Sequence, residues 1–216
     1  MECKIGLNTF VLKMIAIVTM LIDHVGVVLF PQYFILRFIG RMAFPIFAYT
    51  LVEGFIHTRD VSKYMKRLGV MALVSEIPFD LVFYGTPFAL VHQNVFFTLF
   101  LGILMLDLFV KTPVKWRQFL WVLIVFLLGD FLKTDYGSMG LLTIFLFYYW
   151  RASKVWKLAG MSLVNICLMG GSQVYAVASA LPIALHNGKQ GPKCKWFFYG
   201  FYPVHLLILY VISILI

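Results

Sequence analysis

Ten ionisable side chains interrupt otherwise apolar stretches of this chain: Asp23, His24, Arg37, Arg41, Glu53, Glu76, Asp80, Asp107, Asp130 and His205. A charge at mid-bilayer costs about 2.5–3.5 kcal/mol on insertion scales, so such groups turn inward, find partners and mark function. Histidine titrates near neutrality, and His24, His205 and a carboxylate at one depth suit proton transfer. A hydrogen-bonded packing role is the plain alternative for each ring. Asp23 is turned about 100° from His24 around a helix, so Arg41 is as natural a partner for it as the imidazole. Arg37/Arg41 and Glu76/Asp80 are i,i+4 doublets, each on one helix face. On adjacent antiparallel helices they would form an arginine–carboxylate ladder, either a staple or part of a site. Tyr202 shares a face with His205, which sets a phenol beside an imidazole. Asn94 and Thr98, also i,i+4, share a face that suits helix packing.

The elements that carry these groups follow from composition. Of 216 residues, 62% are hydrophobic, 18% aromatic and only 12% charged, with a mean hydropathy of +0.92. A soluble domain averages roughly 45–50% apolar and about 25% charged, so this chain reads as an all-α, polytopic integral membrane protein. Disordered, collagen-like and disulfide-framework classes are excluded. At roughly 20 residues per span, about nine transmembrane helices fit, in a single domain over 1–216. Apolar runs place them at 13–30, 35–56, 68–84, 94–110, 118–132, 138–150, 158–169, 174–185 and 197–216. The short pair 158–169 and 174–185, joined through Gly170-Gly171-Ser172-Gln173, reads as two spans or as a re-entrant hairpin.

The net charge of +9 follows topology rather than pointing to nucleic acid. With the N-terminus in the cytoplasm, the inner segments hold 15 of the 18 basic residues: Lys4, Lys13; Arg59, Lys63, Lys66, Arg67; Lys111, Lys115, Arg117; Arg151, Lys154, Lys157; Lys189, Lys193, Lys195. Only Arg37, Arg41 and Lys133 fall elsewhere, and the alternation predicts an N-in, C-out bundle. Asp23-His24 and the lack of an A-x-A site argue against a cleaved signal peptide at the first helix. Cys3, Cys167 and Cys194 show no CxxC spacing, and the five histidines show no metal-binding spacing, so no metal is expected.

Several short elements occur together along the chain. They are Asp23-His24-Val25-Gly26, Gly40-Arg41-Met42-Ala43-Phe44-Pro45, Glu53-Gly54-Phe55-Ile56-His57-Thr58-Arg59, Ile77-Pro78-Phe79, Asn94-Val95-Phe96-Phe97-Thr98-Leu99, Asp135-Tyr136-Gly137 and Tyr202-Pro203-Val204-His205-Leu206. In this order the sequence resembles the TraX family of membrane proteins, and its first helices resemble the wider transmembrane acyltransferases. The resemblance implies a bacterial cytoplasmic (inner) membrane protein. It also implies an acetyltransferase that takes acetyl-CoA from the cytoplasm, the family activity being N-terminal acetylation of conjugative pilin subunits. The acceptor would be a pilin-like peptide amine, a glycan or lipid hydroxyl, or a small molecule.

On that reading His24 is the general base, with Asp23, Arg41 and His205 completing the catalytic group. His205 is also a candidate for the base itself or for holding the donor. His57, Arg59, Lys63, Lys66 and Arg67 would meet the CoA phosphates, although an ordinary positive-inside loop explains that cluster equally. Glu53, Glu76, Asn94, Thr98 and Tyr202 are the groups expected around the substrate or transition state. Glu53-Gly54 reads as a tight helix crossing, serving donor approach or packing alone. Two other classes use the same residues differently: a small proton-coupled transporter with the buried groups as a relay, and a non-catalytic membrane assembly factor. The absence of a visible internal repeat disfavours the transporter.

Overall fold

A computed structural model describes residues 6–216; Cys3 and Lys4 lie outside the described residues. The described residues are all-helical apart from turns and two isolated bridges. The α-helices are α1 Thr9–Val28, α2 Phe34–Gly40, α3 Ala43–His57, α4 Val61–Tyr84, α5 Val95–Lys111, α6 Lys115–Phe131, α7 Gly137–Tyr149, α8 Lys154–Leu163, α9 Ala180–Ala184 and α10 Lys195–Leu215. Starts are set by polar side chains that satisfy otherwise unpaired amides. Asn8 accepts from the Val11 N–H (3.0 Å), Asp60 from Lys63 (2.9 Å) and Asn94 from Phe96 (3.0 Å).

Three stretches are long and apolar enough to cross a membrane: Thr9–Val28, Phe34–His57 and Lys195–Leu215. The structure refines the expected helices at three places. The span expected over 35–56 is present as Phe34–His57, with a turn at Arg41-Met42 that keeps helical backbone angles and sets Arg41 at the end of α2. The helix expected from 68 begins at Val61 because Asp60 caps it, which puts Lys63, Lys66 and Arg67 on its first turns. The stretch 158–185 folds as a hairpin: α8 runs into π-helical Val164–Met169, then a 3-10 segment, Gly171–Ser179, returns to α9. Gly170 (φ 61°) and Gly171 (φ 53°) make the reversal in a region that side chains disfavour.

The core centres on α3, α5 and α7, where Ile46, Ile103, Met105, Leu106, Ile144 and Phe147 are fully buried. Large apolar side chains such as Leu73, Leu127, Ile208 and Val211 stand exposed outside, a surface suited to lipid rather than water.

Loops gather at two opposite ends. At one, the Leu7 N–H donates to Leu185 O (2.9 Å) and the Thr9 N–H to Lys189 O (2.8 Å). Lys154 Nζ donates to Ala184 O (2.6 Å), and Phe55 and Phe109 both pack on Tyr148. The lysine- and arginine-rich segments converge there, as their alternation along the chain predicts. At the other end the Gln93 N–H donates to Lys133 O (3.0 Å) and the Asp135 N–H to Gln93 O (2.9 Å).

Candidate functional site

α1 and α10 meet through their histidines. His24 Nδ1 lies 2.7 Å from His205 Nε2, with the rings 6° from parallel. His205 Nδ1 lies 2.8 Å from the Phe201 carbonyl, which can only accept, so that nitrogen carries the hydrogen. A neutral His205 therefore presents Nε2 as an acceptor, and His24 must donate from Nδ1. The chain of bonds leaves His24 Nε2 with a free lone pair, the form a general base requires. Sequence spacing did not single out Phe201, although its carbonyl lies one helical turn before His205 and is within reach of that ring on any regular helix. Tyr202 packs edge-on to both imidazoles, its ring centroid 6.1 Å from His24 and 5.6 Å from His205.

Asp23 turns away from its sequence neighbour. Its Oδ1 accepts from Arg41 Nη2 (3.0 Å) and its Oδ2 from Arg37 Nη1 (3.1 Å). Gly40 permits this approach, since a Cβ there would lie 2.2 Å from the Asp23 Cβ. The expected ladder of Arg37/Arg41 with Glu76/Asp80 does not form, because α4 packs against α5 and α10 while both arginines bond to α1. Glu76 Oε2 accepts instead from the Asn94 backbone N–H (3.2 Å) and from Asn94 Nδ2, and Asp80 Oδ2 from the Ala89 N–H (2.7 Å). Asn94 also donates to Ala72 O (2.8 Å). Thr98 Oγ1 donates to Asp135 O, so Asn94 and Thr98 are engaged in joining α4, α5 and the 132–136 loop rather than brought beside His24.

A cavity of about 400 Å³ opens among the basic segments. Lys13, His57, Arg67, Lys193 and Lys195 line it, together with Glu53, Gly54 and Tyr64, and it extends inward to Met20, Phe96 and Tyr202. Met20 and Tyr202 each sit one helical turn before His24 and His205, so the cavity ends just short of the imidazole pair. Of the five residues expected to meet phosphates, His57 and Arg67 line this space and Arg59, Lys63 and Lys66 do not. Lys63 pairs with Asp60 (3.1 Å) and is 76% exposed. At Gly54 the close neighbour is Tyr64, whose hydroxyl lies 3.0 Å from where a Cβ would stand.

A second network appears that sequence reading missed. His186 Nδ1 lies 2.8 Å from Tyr49 Oη and its Nε2 3.1 Å from Thr9 Oγ1, which fastens the 186–193 loop to α1 and α3. Burial holds the His186 imidazole below its usual pKa. The three residues are 40 and 137 positions apart in sequence, so no local spacing signals them.

Asp23-His24, Gly40-Arg41 and Tyr202-x2-His205 thus come from three separate stretches and converge at one level of the bundle. The family described as TraX protein matches residues 9–213. The chain belongs to the TraX family. A relative, the probable fimbrial assembly protein FimC, serogroup H1, of Dichelobacter nodosus, is 30% identical over 242 positions, with 97% of each chain covered. The uncharacterized protein RP591 of Rickettsia prowazekii (strain Madrid E) is 47% identical over 38 residues, covering 18% of this chain and 15% of its own. No solved structure matches the chain.

Proposed function

We propose that this TraX-family chain is a membrane-embedded acetyltransferase, moving an acetyl group from acetyl-CoA to an acceptor amine or hydroxyl with His24 as general base. The observation that carries the reading is the cavity that opens among Lys13, Arg67, Lys193 and Lys195 and ends at Tyr202, against the His24–His205 pair. A basic mouth suits CoA phosphates, and the interior lined by Met20, Phe96 and Tyr202 suits the uncharged pantetheine arm.

In the proposed step the acceptor nitrogen or oxygen bonds to the thioester carbon as its proton passes to His24 Nε2. Charge gathers on the thioester oxygen, where the Tyr202 hydroxyl can donate. The carbon–sulfur bond then breaks, and the CoA thiolate leaves with the proton returned from His24. His205 holds the His24 ring in the required tautomer. Arg41 and Asp23 fix α1 beside it. The basic end faces the cytoplasm in this reading, the chain lies in the bacterial inner membrane, and acetyl-CoA is a co-substrate with no metal required. The relative's name, a probable fimbrial assembly protein, favours a pilus-subunit amine as acceptor.

The test is acetyl-CoA binding and CoA release by the purified protein in nanodiscs, with candidate amine acceptors and with His24→Ala alongside. Saturable binding and His24-dependent release are expected; a folded protein that binds no acetyl-CoA overturns the reading.

A further inference from the structure

Two carboxylates on α4 are left half-satisfied in a buried setting. Asp80 is 1% exposed; its Oδ2 takes the Ala89 N–H, while its Oδ1 is buried with no partner. Glu76, one turn earlier on the same face, repeats the pattern: Oε2 is held by Asn94 and Oε1 is buried and unpartnered. Among the described residues no lysine or arginine pairs with either, because Arg37 and Arg41 are both taken by Asp23. Nearby, His92 Nδ1 is likewise buried and unpartnered. Asp135 comes from the loop hydrogen-bonded to Gln93. A buried acceptor without a donor costs about 1–3 kcal/mol, and more when charged, so two in register describe a place built for a donor.

The donor's character can be read from the surroundings. Among the described residues no three His, Cys, Asp or Glu side chains converge as metal ligands do. The same α4 stretch instead supplies aromatic walls, Phe79 packing on Phe83 (4.9 Å) and Tyr84 (6.2 Å). Two carboxylate oxygens beside aromatic faces suit an organic ammonium group. Phe83 follows Asp80 by three residues, and its ring lies 5.7 Å from that of His24, which puts this acidic face next to the proposed base. It lies toward the end opposite the basic cavity, where the 85–94 and 132–136 loops pair.

We infer that Glu76 and Asp80 form a binding site for the primary ammonium group of the acceptor, entering from the end opposite acetyl-CoA. Its place in catalysis rests on the acetyltransferase reading, but the binding itself does not. An amine held there waits as the ammonium ion; one proton passes to solvent at the loop end to give the neutral amine, and a second passes to His24 as the nitrogen bonds to the thioester carbon.

The full chain in nanodiscs is titrated with n-butylammonium, with n-butanol and with sodium at matched ionic strength, followed by calorimetry and by thermal protection; acetyl-CoA binding is measured separately. Saturable butylammonium binding is expected, at least about tenfold tighter than butanol and weakened at least about tenfold by Asp80→Asn and by Glu76→Gln, with acetyl-CoA binding unchanged in both. Equal binding of butanol, or unaltered butylammonium binding in the two variants, overturns the site. Sodium competing at equal concentration overturns the ammonium assignment. Glu76 is only partly buried, so Glu76→Gln and the butanol comparison decide the matter where Asp80→Asn does not fold. Butylammonium binding in a protein that fails to bind acetyl-CoA would sustain this site and strike only the donor reading.

Discussion

His24 donates from Nδ1 to His205 Nε2 across 2.7 Å, although 181 residues separate them in the chain. Their order of protonation is set from outside the pair by the Phe201 carbonyl, so His205 acts through His24 as a positioning residue. His24→Ala is expected to lower acetyl transfer by about 10²–10⁴-fold with the bundle still folded. His205→Ala should lower kcat with KM for acetyl-CoA little changed, and His205→Gln, which keeps an acceptor, should recover part of the loss. Steady-state CoA release in nanodiscs measures all three.

Asp23 is the only carboxylate that Arg37 and Arg41 reach among the described residues, and its side chain is 13% exposed. Removing one partner of a buried ion pair typically costs about 3–5 kcal/mol, so Asp23→Asn should be strongly destabilising. Arg41→Leu should cost more than Arg37→Leu, because the Arg41 side chain is 11% exposed and that of Arg37 35%. Denaturation midpoints in mixed micelles give the ranking; equal effects for the two arginines would contradict it.

Gly40→Ala places a methyl carbon 2.2 Å from the Asp23 Cβ, on a helix that cannot yield without moving both arginines. The expected cost is about 1–3 kcal/mol, the range for overpacking, read as a lower unfolding midpoint. A Gly40→Ala cost that vanishes when measured in an Asp23→Gly background would confirm that the clash is with this side chain.

At the basic end, position decides which cation matters. Arg67→Gln should raise KM for acetyl-CoA several-fold with kcat nearly unchanged, since Arg67 lines the cavity. Lys63→Gln, exposed, paired with Asp60 and off the cavity, should leave both constants as they were. Equal effects from the two would point to a diffuse field instead of a seat.

His186 gives the fold a pH response. Its folded pKa is held below the unfolded value by burial, so as the pH falls the unfolded chain binds the proton first and stability is lost. Amide exchange across 186–193 should quicken as the pH drops through the unfolded value near 6.5, and His186→Gln should flatten that response.

Much of the site was readable because helix geometry is local. The shared face of Tyr202 and His205 and the angular separation of Asp23 from His24 follow from 3.6 residues per turn, and that separation left Arg41 as natural a partner for Asp23 as the imidazole. The basic alternation likewise anticipated which loops meet. What failed depended on which helices are neighbours: the Glu76/Asp80 doublet does share a face, but that face meets the 85–94 segment and not the arginines. The turn at Arg41-Met42 leaves no mark in the sequence, because it interrupts neither the apolar run nor the helical backbone angles. Thr9, Tyr49 and His186 were hidden for a different reason, since a network across three distant segments leaves no period in the sequence.

The two pairings of Asp23 and His24 also differ in when they can form during synthesis. Asp23 finds its arginines within the next 18 residues, so α1 and α2 can pair as soon as both are made, already carrying their own counter-ions. His24 must wait until α10 has left the ribosome. The nascent protein is thus anchored early and armed late: an incomplete chain holds the first helices in place while the imidazole that would strip protons from an acceptor still lacks the partner that orients it.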